Sequence, residues 1–343
     1  MTSFQKILKM SPLKNFSSYL MDAVKELRAP SASKYNSGMF KWLDCLVGDV
    51  EAVACSKGVT VYCPKTGRLS FFNSPYPSHR NCSAVDIYPG VGFGCEAPSP
   101  VEGEVVAVRA VRCPEGKDFE ASTLDYVVLL RSLENPDVWV KVLHVKPCVP
   151  VGEVVRAGAP LGFLLRSGFF DFWTDPHVHV EVRSPSDPIR ARGGFTLERL
   201  IELDTVNGLT EELRGVVVES KPEYSLISLN NGLSCGLPVD VDGEVGFLDG
   251  GIPHYGYFGV HLSAKPSEGS VVRLCGVKIG VVKFVFTGMC LAVCCGLNFK
   301  LDGKPVRLST YIHPSGNYLL KVVPNRLGEL KLDRSQEVSL TIS

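Results

Sequence analysis

The stretch "DPHVHVEVR", Asp175 to Arg183, places two histidines one residue apart inside a run of valines. In a β-strand, side chains alternate between the two faces, so His177, His179 and Glu181 would share one face and the valines the other. The valine face needs burial, which predicts a core strand. Its opposite face would carry the imidazole and carboxylate groups. The rest of the chain must then show whether these histidines are structural or belong to a metal site.

Length and composition set broad limits on the class of protein. The chain has 343 residues, more than one ordinary hydrophobic core needs, so two domains are expected. Hydrophobic residues make up 45% and charged residues 21%, which is typical of a folded protein. Lysine plus arginine and aspartate plus glutamate both number 36, giving a formal charge of zero. That balance predicts no nucleic-acid partner, which would require a basic surface.

Neither the amino terminus nor the longest apolar stretch reads as a targeting or membrane segment. Residues 1–30 contain lysines but no unbroken apolar run followed by a small-residue cleavage site. The apolar stretch at 281–297 is interrupted by Lys283 and two glycines and is rich in β-branched residues. We therefore expect a cytoplasmic protein with no membrane partner.

Hydrophobic periodicity divides the chain into three parts. Residues 1–57 are predicted to form a helical N-terminal segment, since "FSSYLMDAVKELRA" has apolar residues at helical spacing. From residue 58 the period changes to two, and turn residues separate short β-branched runs such as "EVVAVRAV". The stretch "FTLERLIELDTV" at 195–206 predicts a helix that closes a β domain spanning 58–210. Residues 211–343 predict a second β-rich domain of unknown role.

Three features add to the HxH pattern, which is weak support for a metal site by itself because short motifs recur by chance. Upstream, "SHRNCSAVDIYPG" holds His79, Cys82 and Asp86, and the alternating run "VWVKVLHVK" ends near His144. A glycine-rich segment, "VGEVVRAGAPLGFL", then precedes the HxH. Two neutral imidazoles on one strand face can converge on zinc, or one can bind while the other acts on substrate.

In this order the motifs resemble the lysostaphin/LytM-type zinc metallopeptidase family, over roughly residues 70–185. The resemblance implies an antiparallel β sandwich built as a duplicated hybrid motif. It also implies a zinc-dependent hydrolase of the peptidase or amidase type, in which activated water attacks the carbonyl of a peptide or amide substrate.

By position, the resemblance implies that Asp86 and His179 are zinc ligands. It implies that His177 orients or deprotonates the attacking water and that His144 stabilises the developing oxyanion. Three protein ligands would leave the fourth zinc position open for water, whose pKa falls to about 7 on binding.

The first ligand departs from the family pattern, in which a histidine stands four residues before the aspartate. Here that position holds Cys82, and His79 stands seven residues before Asp86. Either a longer loop lets His79 bind, or a Cys82 thiolate replaces it and weakens the Lewis acidity of zinc, or the site has decayed. We favour His79, because Pro77 and Ser78 place it in a loop that can adjust.

A second function class stays open beside the zinc hydrolase. It is a non-catalytic binding module with the same sandwich and a degenerate metal site, whose C-terminal domain recognises a partner. A carrier or phosphotransfer protein ranks last, because the hairpin turns "PVEGEV" and "PVGEVV" contain no lysine.

The most unusual stretch of the second half is "GGIPHYGYFGVHL", residues 250–262. It contains His254 and His261, but no carboxylate stands at useful spacing from either. We therefore predict a turn-rich loop between strands rather than a second site.

Overall fold

The computed structural model describes residues 49–203, 208–230 and 235–343. Within these ranges the regular secondary structure is nearly all antiparallel β-strand, which confirms the mostly β fold class. The helical segment predicted for residues 1–48 lies outside the described residues. Among the helices of the described ranges, none combines the length and the apolar character that crossing a bilayer requires.

Residues 49–203 are called the N-terminal unit below. Its strands and helix are β1 (Val50–Ser56), β2 (Val59–Pro64), β3 (Arg68–Ser70), α1 (Pro77–Arg80), β4 (Val85–Tyr88), β5 (Glu96–Pro98), β6 (Gly103–Arg112), β7 (Leu124–Ser132), β8 (Trp139–Leu143), β9 (Val145–Pro147), β10 (Val154–Val155), β11 (Pro160–Leu164), β12 (Val178–Arg183) and β13 (Glu198–Arg199). Seven strands form one sheet in the order β10-β6-β7-β8-β12-β4-β3. Two three-stranded sheets, β13-β1-β2 and β5-β11-β9, complete the unit.

The seven-stranded sheet presents its apolar face to the main core. Val178, Val180 and Val182 of β12 all lie on this face and are fully buried. The same core contains Val61 of β2 and Leu161 of β11, so the two small sheets pack against this face. The alternation read from "HVHVEV" therefore places the valines as predicted, in a layered β core.

The opposite face of the same sheet is also buried but carries charged side chains. Asp86 of β4 pairs across from His179 of β12. Lys141 of β8 pairs across from Glu181 of β12. Because cross-strand partners have side chains on the same face, this pairing collects all four groups in one place.

The N-terminal helical prediction fails over its described part. β1 begins at Val50, inside the segment predicted as helix, and pairs with β2 along its whole length. "VEAVACS" contains two valines and alternates in burial towards its end, which suits a strand that covers a core.

The closing helix predicted at 195–206 is also wrong over its described part. Glu198 and Arg199 pair with β1, and the backbone N–H of Leu197 donates to the carbonyl of Cys82 at 2.8 Å. These hydrogen bonds to distant segments take the place of the local bonds that a helix needs. Tertiary pairing thus overrides the helical spacing of the apolar residues.

Residues 208–343 are called the C-terminal unit. Its strands are β14 (Leu213–Ser220), β15 (Ser225–Leu229), β16 (Leu237–Val241), β17 (Glu244–Ile252), β18 (Tyr257–His261), β19 (Val271–Leu274), β20 (Val277–Phe286), β21 (Met289–Cys294), β22 (Phe299–Leu301), β23 (Lys304–Thr310), β24 (Leu320–Pro324) and β25 (Glu337–Ile342). Pairing closes them into two six-stranded rings, β16-β19-β20-β21-β18-β17 and β23-β22-β25-β14-β15-β24. The rings are joined where β17 pairs with β23.

The two units share both strand pairing and core. Leu69 of β3 forms a bridge with Ile312, whose N–H donates to the Leu69 carbonyl at 2.9 Å. Phe247 and Leu291 of the C-terminal unit belong to the same core cluster as the valines of β12. The domain boundary predicted near residue 210 stays a prediction.

Candidate metal centre

His79 lies in α1, a single helical turn with Pro77 near its start. Its Nδ1 is 2.7 Å from the carbonyl oxygen of Phe71. Because a carbonyl only accepts, Nδ1 donates, and the lone pair of the neutral ring is on Nε2. That Nε2 lies 3.3 Å from Asp86 Oδ1 and 3.2 Å from His179 Nδ1.

His179 is oriented by a buried carboxylate behind it. Its Nε2 lies 3.0 Å from Glu181 Oε1, and Lys141 Nζ lies 2.8 Å from the same oxygen. Burial alone would raise the pKa of Glu181, but Lys141, His179 and Arg183 together hold it below its usual value. The ionised carboxylate accepts, so His179 donates from Nε2 and its Nδ1 lone pair points to Asp86 Oδ1, 2.9 Å away.

His79, Asp86 and His179 therefore converge on one point. One ligand atom from each lies within 4.8 Å of the others, and all three side chains are buried. Burial alone would raise the pKa of Asp86, but the surrounding imidazoles of His79, His177 and His179 hold it well below its usual value. Two lone pairs and a carboxylate that face each other require a shared cation or an added proton. The set suits zinc, which takes imidazole nitrogen and carboxylate oxygen.

Cys82, the alternative to His79, is not part of this group. Its Sγ lies in the main core, 3.6 Å from the carbonyl oxygen of Leu197. Burial raises the pKa of this thiol, which disfavours the thiolate that binds metal. The structure thus brings His79, and not Cys82, to Asp86.

His144 follows β8 in a left-handed backbone conformation, with φ of 68°. Asp125 of β7 fixes it twice: Oδ2 lies 2.6 Å from Nδ1, and Oδ1 accepts from the His144 backbone N–H at 3.1 Å. With Nδ1 donating to a carboxylate, Nε2 is left for other partners. The ring centroid of His144 lies 4.9 Å from that of His177.

His177 stands directly before β12, and its Nδ1 lies 2.9 Å from the carbonyl oxygen of Asp175. That carbonyl can only accept, so Nε2 carries the lone pair, 3.8 Å from Asp86 Oδ2. Burial lowers the pKa of His177 to about 4, which leaves the ring neutral at neutral pH. Phe170 stacks on it with a centroid distance of 4.9 Å.

The structure adds two residues to the site that sequence reasoning did not assign. Glu181 orients His179, and the signal for it was its place on the same face of the strand as the two histidines. Asp125 orients His144 from 19 residues earlier in the chain. No motif marks Asp125, since its role depends on the pairing of β7 with β8.

A cavity of about 420 Å³ lies beside the site, where the two units meet. Tyr88, Phe93 and Asp175 line it from the N-terminal unit, and Tyr224 lines it from the C-terminal unit. The Tyr88 ring centroid is 5.0 Å from that of His177. Tyr88 therefore contacts both the cavity and His177.

The prediction for the stretch 250–262 needs a correction. Tyr257–His261 form β18, so only its middle is a turn. His261 also has a carboxylate partner, since its Nε2 lies 2.9 Å from Asp249 Oδ2. Asp249 stands one residue before the stretch, on β17, and antiparallel pairing of β17 with β18 brings the two together.

Comparisons with known proteins give partial matches. A family described as "Domain of unknown function (DUF8155) N-terminal domain" matches residues 60–199. A structure of the antimicrobial peptidase lysostaphin from Staphylococcus simulans matches at 14% identity over 80% of this chain and 95% of its own, with a TM-score of 0.26. A solution structure of lysostaphin matches at 13% identity over 80% of this chain and 96% of its own, with a TM-score of 0.25.

A mutant catalytic domain of the prophage-encoded M23 protein EnpA from Enterococcus faecalis matches at 21% identity, covering 33% of this chain and 72% of its own, with a TM-score of 0.23. None of the curated proteins matches this chain. The family match covers less than half of the chain, and superpositions with TM-scores this low carry no structural argument. Function must therefore rest on the geometry of the site itself.

Proposed function

We propose that this protein is a zinc-dependent hydrolase of the peptidase or amidase type. The observation that carries the proposal is the convergence of His79 Nε2, His179 Nδ1 and an Asp86 carboxylate oxygen within 4.8 Å of one another. Each ring donates from its other nitrogen, His79 to the Phe71 carbonyl and His179 to the Glu181 carboxylate, and the lone pairs therefore face Asp86. Metal-binding histidines typically carry such a second hydrogen bond.

His79, Asp86 and His179 would hold the zinc ion. Three protein ligands leave a position open, which distinguishes catalytic zinc sites from structural ones. When bound, zinc would polarise the amide carbonyl and lower the pKa of a water molecule.

His177 and His144 would handle protons and charge at the reacting group. His177 is neutral, and its Nε2 is free of the Asp175 bond, so it can accept a proton from water. Asp125 accepts a hydrogen bond from Nδ1 of His144 and fixes the orientation of that ring. His144 would then stabilise the developing oxyanion through Nε2.

The cavity between the units supports a peptide as substrate. Its wall combines aromatic rings, among them Tyr88 and Phe93, with charged groups of both signs, among them Arg166 and Glu223. A peptide offers apolar side chains and backbone amides to such a lining, and a small uncharged amide would leave most of it without a partner.

A second candidate is a non-catalytic metal site, and burial is the observation that favours it. The residues His79, Asp86 and His179 are at most 2% exposed. A structural site needs no solvent path, whereas a hydrolase must admit substrate to the open zinc position. Zinc retention is common to both candidates, and only hydrolysis separates them.

The test begins with zinc content of the protein purified without added metal, measured by mass spectrometry. We expect stoichiometric zinc in the wild type, loss of zinc in His79→Ala, and retention in the matched control Cys82→Ser. Hydrolysis of a mixed peptide library, followed by amine release, should be lost in His79→Ala and kept in Cys82→Ser. Release of amines only when zinc is present would support the catalytic reading.

Three results would count against the proposal. Stoichiometric zinc in the His79→Ala protein would remove His79 from the ligand set. A wild type that neither retains nor takes up zinc would end the metal-site assignment. Zinc retention without any hydrolysis across the library would favour the non-catalytic site.

A further inference from the structure

Segment 70–74, the sequence "SFFNS", belongs to the N-terminal unit but is held by the C-terminal unit. Asp249 accepts hydrogen bonds from the Ser70 hydroxyl and, at 2.7 Å, from the backbone N–H of Phe71. Asp249 is fully buried and also bonds to the ring of His261. One carboxylate of the C-terminal unit therefore fixes the backbone at Phe71.

Two further contacts seat the same segment. Asn73 Nδ2 donates to Ser309 Oγ at 2.7 Å. The ring of Phe72 packs against Gly259, where an added Cβ would lie only 1.9 Å from the nearest ring carbon. A glycine is needed there because only a residue without a side chain leaves room for Phe72.

The fixed backbone leads directly to the metal centre. The carbonyl of Phe71 accepts from His79 Nδ1 at 2.7 Å, and that bond sets which nitrogen of His79 faces Asp86. Asp249 bonds the N–H of Phe71, and His79 bonds the C=O of the same residue. A shift of Phe71 would therefore move the anchor of the His79 ring.

A separate connection reaches His177. Lys321 of β24 is almost fully buried and donates to the carbonyl of Trp173 at 2.5 Å and to Asp175 Oδ2 at 2.6 Å. The backbone carbonyl of Asp175 accepts from His177 Nδ1 at 2.9 Å. The loop that orients His177 is thus tied to the C-terminal unit by the Lys321 ammonium group, beside the Tyr311 hydroxyl 3.5 Å from the same Asp175 oxygen.

We propose that the C-terminal unit is a positioning frame for the metal centre. Asp249 orients the ring of His79, and it does so through one backbone carbonyl. Lys321 orients the ring of His177, again through one backbone carbonyl. The roles given to the two histidines rest on the proposed function, whereas the orientation of their rings does not. Asp249 and Lys321 are positioning residues, because neither contacts the ligand atoms.

The two connections should affect different properties. His79 is a proposed ligand, so loosening its ring lowers metal affinity. His177 is not a ligand, so loosening its ring leaves metal affinity intact and slows only the proton transfer. This separation distinguishes positioning from a general loss of stability, which would weaken both properties in both variants.

The first variant is Asp249→Ala in the full chain. We expect its affinity for Zn²⁺, measured by competition with a chromophoric chelator, to fall by about 10-fold, the lower end of the effect of removing an outer-shell partner, because Asp249 acts through Phe71. Asp249→Asn keeps an oxygen acceptor in the same place and should lose less affinity than Asp249→Ala. It also keeps the test available if the alanine variant does not fold.

The second variant is Lys321→Met, which keeps the length of the side chain but removes the ammonium group. We expect unchanged Zn²⁺ affinity. Ring-nitrogen NMR shifts of the metal-free protein should show His177 changing from one tautomer to a mixture, while His79 stays in one. In Asp249→Ala we expect the reverse: His79 should change to a mixture of tautomers, while His177 stays in one.

Thr310→Val is the matched control, because the Thr310 hydroxyl makes two buried hydrogen bonds to Gly250, next to Asp249, without bonding segment 70–74. It should lose stability but keep both tautomers and the Zn²⁺ affinity of the wild type. The frame is overturned if Asp249→Ala and Lys321→Met leave both tautomers unchanged, or if the control changes them equally.

Failure of the frame and failure of the proposed function give different results. If the wild type binds no Zn²⁺ while the tautomer changes occur as expected, the positioning frame is supported and the zinc hydrolase proposal is contradicted. If Zn²⁺ binds stoichiometrically and peptides are hydrolysed, while the tautomers of His79 and His177 are unchanged in both variants, the hydrolase proposal is supported and the frame is contradicted.

Discussion

The N-terminal and C-terminal units are both built of antiparallel strands with buried interiors, yet they use their buried charged side chains differently. The second face of the seven-stranded sheet encloses His179, Glu181 and Lys141. The main core cluster of the C-terminal rings is aliphatic and aromatic, and the buried Asp249 and Lys321 of this unit bond to residues of the N-terminal unit. Within the described part of the chain, the cluster of potential metal ligands lies in the N-terminal unit. Strand architecture is common to the two units, so the chemistry comes from which side chains a buried face carries.

The largest expected effect falls on a histidine of the N-terminal unit. His177→Ala should lower the hydrolysis rate about 100- to 10,000-fold, the range for losing a general acid or base. Zinc content should stay that of the wild type, because His177 is not among the three proposed ligands.

The matched histidine of the C-terminal unit is His313, whose Nε2 has no hydrogen-bond partner among the residues that the structure describes. His313→Ala should leave both zinc content and hydrolysis unchanged. Equal loss of hydrolysis in His177→Ala and His313→Ala would contradict the conclusion that the chemistry belongs to the N-terminal unit.

A substitution that leaves a cavity in the C-terminal core should lower the stability of the protein without changing hydrolysis or zinc binding. Leu274 of β19 is fully buried in the aliphatic cluster. Leu274→Ala should lower the free energy of unfolding by about 2–5 kcal/mol, measured by urea denaturation. Zinc content under native conditions should not change, and its loss would show that the packing of the distant ring controls the metal centre.

The buried carboxylate behind His179 should affect metal binding directly. Glu181→Gln should weaken Zn²⁺ binding by about 10- to 100-fold, because the amide no longer offers a charged acceptor to His179. Chelator competition measures the change. A wild-type affinity in this variant would mean that His179 does not depend on its partner.

The smallest expected effect concerns the ion pair between the units. Burial alone would raise the pKa of Asp175, but Lys321 and Arg68 lower it to about 2. The unfolded value is near 4, so the stabilisation is complete above that pH and is lost as the pH falls through 2.

The difference corresponds to about 2 kcal/mol of unfolding free energy. Asp175→Asn should remove this part of the acid sensitivity, which urea titrations between the two pH limits would detect. An unchanged pH profile in the variant would assign the acid sensitivity to other carboxylates.

Periodicity was sufficient to predict the strand that defines the site. Alternation placed Val178 and Val180 on one face and His179 on the other, and the structure has that arrangement. The choice between His79 and Cys82 was harder, because it depends on the turn after α1 and not on spacing. The helix predicted at 195–206 was wrong because its backbone pairs with β1, a partner that no local pattern reveals.

The connections between the units could not be predicted at all. Asp249 and Phe71 are 178 residues apart, and each looks ordinary in its own stretch of sequence. Lys321 is one of many lysines, and only the fold places its ammonium group beside Asp175. Sequence reasoning found the proposed ligands because they lie in recognisable motifs, and it missed their supports because those come from elsewhere in the chain.

Because Phe71 precedes Asp249 by a long stretch of chain, the ribosome makes segment 70–74 well before the carboxylate that holds it. A ribosome adds about 5–20 residues per second, so a gap of 178 residues corresponds to about 9–36 s of translation. During that interval the nascent chain already contains "SFFNS" but not the carboxylate that fixes it. Under the proposed frame, the metal centre reaches its final geometry only after Asp249 and Lys321 have been translated, and a polypeptide truncated before Asp249 would carry the proposed ligands without their final alignment.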